Sequence, residues 1–347
     1  MTAFFFACGR NTHRAGDTHD LFQQATPLLG IFMMNRLHLL RLAAAVLIGG
    51  SAVADAAPFA YVPNEGSGTV SVIDTASDQV VADIPAGKKP RGLAISGDWL
   101  YVSDQPNNRL QMVDLKKREA GASIALGESP EGVYVSPDGR WIASAIEESN
   151  DVAIVDTQTN KVAFTIKVHG RNPEHAVFSP DGKKLFVSAE EGEAVDIIDF
   201  TTHEQVAQLS VGARPRGIGF LPDSSRAYVA TENSDEVYVI DTATNKLITH
   251  FKAGRRANGV TVHPDGSRVY VSNGGEASVS VIDTADNKII ATIAVGQRPW
   301  NMAITPDGKK LYVANGRSNS VSVIDTVQNV KVRDINVGKL PWGVVIK

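Results

Sequence analysis

Glutamate, arginine, histidine and tryptophan carry most of the chemistry available to this 347-residue sequence, and several of them recur at one place. One residue past a repeating Gly-x-x-Pro or Gly-x-x-Ala step stand Arg91, Glu131, Glu174, Arg216, Asn258, Trp300 and Trp342. A guanidinium reads a carboxylate through two parallel N–H bonds, and an indole offers a wide apolar face with one polar edge. Seven unlike side chains on one recurring step are what a binding site varied on a constant scaffold would show. These seven, with His175 beside Glu174, are the candidate ligand or partner contacts.

Catalytic and metal chemistry are less well supported. The histidines beyond residue 57 are His169, His175, His203, His250 and His263, and none falls in an H-E-x-x-H spacing. G-x-S-x-G and phosphate-loop spacings are also missing, which removes the motifs for a zinc peptidase, an α/β-hydrolase and a nucleoside triphosphatase. His175 and Glu190 could together activate water, but the pairing occurs in one repeat alone, so no catalytic residue is assigned. Glu147, Glu148, Glu190, Glu191 and Glu193 gather with Glu131 and Glu174 in one sector. Oxygen clusters of this kind suit Ca2+, yet no D-x-D-x-D-G loop accompanies them, and neither a metal nor a cofactor is expected. Lys88, Lys89, Arg91, Arg214, Arg216, Arg255, Arg256 and Arg298 fill the other sectors, so the face that carries them should be bipolar.

The elements that position these residues repeat. An Asp closes an apolar strand at Asp74, Asp114, Asp156, Asp199, Asp241, Asp283 and Asp325, with spacings of 40, 42, 43, 42, 42 and 42 residues. A Gly follows in the same register at Gly87, Gly127, Gly170, Gly212, Gly254, Gly296 and Gly338. Pro-Asp-Gly or a near relative recurs at Pro137, Pro180, Pro222, Pro264 and Pro306. Each unit holds four strand signals rich in β-branched residues, as in Asn301–Ile304, Leu311–Ala314, Val321–Ile324 and Lys331–Val337. Pro presets φ and Gly takes the left-handed closing position of the first turn, while each Asp should accept backbone N–H groups in the last. Four-stranded units at this period are propeller blades. The fold class is therefore all-β, a seven-bladed propeller over residues 57–347. The chain past residue 57 starts with a second strand, Ala60–Val62, and finishes on a first strand, Trp342–Ile346, so the ring should close by joining the two.

Residues 1–56 read differently. Arg36 and Arg41, the apolar run Leu42–Ile48, and Ala54 and Ala56 follow the order of a secretory signal peptide, here 34–56. Met33 and Met34 precede that signal, and residues 1–33 read as a gene-start artefact. Export to the periplasm is the expectation, with no transmembrane segment in the mature chain. Cys8, the single cysteine, would then be absent, leaving no disulfide and no Cys-ligated metal. Net charge is −4, and because residues 1–56 carry four Arg and three Asp, the remainder stands at 30 basic against 35 acidic residues. Such a balance offers no general attraction to nucleic acid.

Tyr61–Asn64, Tyr270–Asn273 and Tyr312–Asn315, with Val-Ile-Asp-Thr at 239–242, 281–284 and 323–326, resemble the YVTN β-propeller repeat. Val295–Trp300 and Val337–Val344 are most similar to exported propellers associated with PQQ-dependent alcohol catabolism. That resemblance implies a non-catalytic periplasmic binding or accessory protein for alcohol oxidation or uptake, with a small molecule or a periplasmic protein as partner. It does not imply bound PQQ, because Trp99, Trp141, Trp300 and Trp342 do not repeat from blade to blade as a quinoprotein docking motif does. Two alternatives stand beside it. Asn172–His175 with Glu190 faintly resembles the lactonase propellers, although Glu174 replaces the Arg found there. Single-stranded nucleic acid could also stack on Trp300 and Trp342, although nucleic acid is not the expected partner.

Overall fold

The computed structural model describes residues 58–347, and the expected signal peptide and upstream stretch lie outside the described residues. Twenty-eight strands form seven four-stranded antiparallel sheets. Within each sheet the strands run A to D in chain order from the central channel outward. Blade 1 takes strands B to D from 59–85 and borrows strand A from Val345–Ile346. Blades 2 to 7 follow at 90–125, 130–167, 173–210, 215–252, 257–294 and 299–336. Ring closure is thus as the sequence implied, with one difference in extent. Strand A of blade 1 was expected over 342–346 but pairs only at Val345–Ile346, after an isolated bridge between Pro341 and Asn64.

The repeated residues explain the repeated geometry. All seven strand-closing aspartates accept backbone N–H groups two or three residues on, such as Ala76 onto Asp74 at 2.7 Å and Val327 onto Asp325 at 2.9 Å. The strand-B tyrosines reach forward to the next blade. Tyr101 donates to Asn160, Tyr228 to Asn287 and Tyr312 to Asp78, so the last contact pins blade 7 to blade 1 as the others pin sequential neighbours. Asn64, Asn273 and Asn315 close strand B, and each donates to two hydroxyls on the facing strand C. Asn273 and Asn315 also accept the N–H of the marker glycines Gly254 and Gly296. A Cβ on Gly296 would fall 2.6 Å from the Asn315 side chain, which is why this step is glycine.

Apolar packing lies between blades rather than within them. Seven buried clusters occupy the seven blade interfaces, and the closing one joins Ala60, Val62 and Ile73 to Tyr312, Val321 and Val323. Each blade therefore depends on both neighbours for the burial that stabilises it. The outer D strands are half exposed, and Ile248, Ile290 and Val332 face solvent there.

Candidate functional site

Three rings of side chains converge on one end of the channel, and the backbone fixes all three. The first comes from strand A. Its pairing with strand B breaks just after the marker Pro or Ala, as where Pro90 faces Asp104 but Leu93 faces Val102. The same break follows Pro130, Pro173, Pro215, Ala257 and Pro299. A bulge re-aims the residue it releases, and here it presents Arg91, Glu131, Glu174, Arg216, Asn258 and Trp300. Trp342 stands at the matching place after Pro341.

The second ring is the residue directly after strand B: Glu65, Gln105, Glu147, Glu190, Glu232, Gly274 and Gly316. The third is the residue before the marker Pro or Ala. It is left-handed in six blades, including Arg214, Arg256 and Arg298 at φ of 62°, 56° and 55°. Backbone bonds tie the second ring to the third, among them Glu232 N–H to Arg214 C=O at 2.9 Å and Gly316 N–H to Arg298 C=O at 2.9 Å. The two glycines make room. A Cβ on Gly274 would meet Arg298 Nη1 at 2.7 Å, and one on Gly316 would meet the Trp300 ring at 2.7 Å.

Ion pairs link the rings. Glu232 is fully buried and accepts Arg256 at 2.5 Å, Arg298 at 2.6 Å and Arg216 at 3.0 Å. Burial alone would push its carboxyl up, but the arginines, Arg216 foremost, hold it at about 2. Arg216 also reaches Glu174 at 2.5 Å and Glu190 at 3.0 Å, and Arg214 pairs with Glu190. Arg91 Nη1 donates to Glu131 at 2.6 Å, with Glu65 at 3.4 Å from Nη2. Burial and the nearby charge of Glu174 push Glu131 up to about 8 despite Arg91. Burial, with Glu174 adding to it, lifts Glu190 to about 7. Burial would raise Glu174, but Arg216, Arg91 and its other neighbours together hold it below the usual carboxylate value. These groups surround a cavity of about 380 Å3.

Trp342 forms part of the cavity floor. Its ring centroid lies 5.6 Å from that of His175, and the two planes are inclined by 32°. His175 occupies a place held by glycine in five of the seven blades, and Gly132 in the preceding blade leaves it space, since a Cβ there would fall 2.8 Å from His175 Nδ1. The Tyr134 hydroxyl pairs with that nitrogen at 2.8 Å. Burial draws the imidazole down to about 4, so it is neutral at ordinary pH. Trp342 and Arg91 also line a smaller cavity of about 90 Å3 between the inner strands.

A family model for YNCE-like β-propellers matches residues 45–347. The chain belongs to that family. This YNCE-like propeller is similar in structure to the hydrazine synthase of Kuenenia stuttgartiensis, with a TM-score of 0.71 and 22% identity over 77% of this chain and 92% of the other. A protein of unknown function from Desulfotomaculum acetoxidans DSM 771 gives 0.73 at 17% identity, covering 83% and 98%. A Bacteroides uniformis protein provisionally named a 6-phosphogluconolactonase gives 0.70 at 20% identity, covering 84% and 100%. At these identities the likeness is one of fold. No curated protein matches the chain in sequence.

The YNCE-like propeller brings Arg91, Glu174, Arg216, Asn258, Trp300 and Trp342 to one cavity. Glu131 stands behind Arg91, and His175 lies beneath Trp342 rather than in the cavity wall. Two expectations need correction. Trp342 is only 9% exposed and presents little free face, because it packs across the channel instead of beside Trp300. The acidic and basic sectors are also bridged at blades 4 and 5, where Arg216 pairs with Glu174 and Glu190, so they are separate only away from that boundary. Glu232, Glu65 and Gln105 were missed. Their signal in the sequence is their place directly after each strand B, as the first ring's is its place after the marker Pro or Ala. Among the described residues no group of His, Cys, Asp or Glu has the arrangement of a metal site, and no helix is long and apolar enough to cross a membrane.

Proposed function

We propose that this chain is a binding propeller, acting without catalysis, that holds a small charged ligand at the mouth of its channel. One observation carries the reading. Trp342 and His175 meet across the channel directly beneath a cavity walled by arginine and glutamate. The volume falls in the roughly 300–1,000 Å3 range of small-molecule sites, and every lining residue except Trp300 and Trp342 is polar or charged, which suits a charged ligand. The hydrolase alternative has less support. Its histidine is buried, neutral and paired with Tyr134, so it has no ready access to a substrate in the cavity. Stacking of nucleic-acid bases on two tryptophans is weakened by the burial of Trp342. The likeness of the marker segments to exported propellers supports a periplasmic accessory role in alcohol oxidation or uptake.

Native mass spectrometry of the purified protein, incubated with a small-molecule extract of its source cells, tests the reading. The expected result is a retained small molecule that Trp300→Ala loses while its melting temperature stays near that of the parent. Retention by the variant, or turnover of a lactone panel at a rate that tracks Glu190→Gln, would overturn it. A deletion strain compared on alcohols and on sugars addresses the physiological role.

A further inference from the structure

The charges around the cavity do not cancel locally, and their distribution limits what it can hold. Around blades 4 and 5, Arg214 and Arg216 balance Glu174 and Glu190. Over blades 1 to 3, the carboxylates Glu65 and Glu147 line the cavity with only Arg91 between them. Glu147 forms no ion pair among the described residues and accepts only the Ser129 hydroxyl. Across blades 5 to 7 the excess has the other sign, because Arg256 and Arg298 share Glu232. Arg298 is 11% exposed, and its Nη1 is buried without a partner.

Trp300 and Trp342 stand between these two arcs, in adjacent blades, with the Arg298 guanidinium 5.9 Å from the Trp300 ring. A buried polar atom without a partner is costly, and a ligand that reaches Arg298 from the cavity relieves that cost. An ammonium answers the carboxylate-rich arc, a carboxylate answers Arg298 in the fork geometry guanidinium favours, and an apolar body covers the open face of Trp300. We propose, resting on the reading of the mouth as a binding site, that its ligand is a zwitterion, with ammonium and carboxylate held apart by a short apolar or aromatic body. This is the chemistry of a di- or tripeptide.

Calorimetry with the dipeptide Gly-Phe, its N-acetyl form and its C-terminal amide tests the proposal on the full chain. Each capped form lacks one charge. Free Gly-Phe should bind, and each capped form should bind at least tenfold more weakly. Glu147→Gln should remove the penalty for N-acetylation and Arg298→Gln the penalty for amidation, with thermal unfolding confirming that both variants fold. Equal binding of a capped and a free form, or no binding of Gly-Phe at millimolar concentration, would overturn the zwitterion. The broader reading fails separately, if Trp300→Ala keeps the molecule retained in the native mass spectrum.

Discussion

Trp342 and His175 face each other across the channel from blades three places apart in the ring, with 5.6 Å between their centroids. No bonded or neighbouring-blade relationship brings them together. The contact exists because an imidazole stands where most blades have glycine, and because Gly132 leaves it room. The pair spans the channel as well as flooring the cavity.

Truncating the two tryptophans should separate these roles. Trp342→Ala removes a buried side chain from a packed channel and should cost about 3–5 kcal/mol. Trp300 is only half buried, so Trp300→Ala should cost clearly less and act mainly on binding. Denaturant unfolding of both variants gives the comparison. Equal losses would mean that both rings are structural.

Acid should weaken the fold through His175. Its folded value of about 4 lies below the ordinary 6.5, so the neutral ring stabilises the protein fully above pH 6.5. That contribution is lost as pH falls through about 4, and the shift corresponds to about 3 kcal/mol. His175→Gln should be clearly less stable than the parent at pH 7, and the gap should close by pH 4. Chemical denaturation at a series of pH values measures it, and a gap that does not change with pH would contradict the assignment.

Two buried glutamates should answer differently to loss of charge. Glu131, raised to about 8, favours its protonated form in the fold, so its stabilisation holds below the ordinary 4.5 and is lost as pH rises through 8. Glu131→Gln should therefore gain on the parent as pH rises from 4.5 to 8, so that its advantage at pH 9 exceeds that at pH 6. Glu232, lowered to about 2, contributes above 4.5 and loses that contribution only as pH falls toward 2. Glu232→Gln breaks a buried pairing with three arginines and should cost about 3–5 kcal/mol at pH 7. Melting curves at pH 6, 7 and 9 distinguish the two.

Much of this was legible in the residues. The seven aspartates announced their turns because an Asx-turn is local, needing only a carboxylate and the next few N–H groups. The mouth ring was legible because each member follows a marker Pro or Ala at a fixed step. The side-chain directions were not. Whether Trp342 would lie open beside Trp300 or fold across to His175 depends on a residue 167 positions away in the chain and on a glycine in a third blade. Glu232 was hidden for another reason. Its sequence neighbours mark only the end of a strand, and its four-way environment appears once Arg216, Arg256 and Arg298 arrive from three blades.

The borrowed strand of blade 1 sets an order of events during synthesis. Phe59–Asn64 is the first described strand to leave the ribosome, and its partner Val345–Ile346 is the last. A chain growing at roughly 5–20 residues per second leaves that first edge unpaired for the 280 residues between, on the order of 15–60 seconds. Blades 2 to 7 take all their strands from continuous stretches and can form as they emerge. The cavity floor cannot, because Trp342 arrives only three residues before the closing strand. Completion of the ring and completion of the pocket are therefore nearly one event, and a nascent chain holds no finished site until residues 342–346 have emerged.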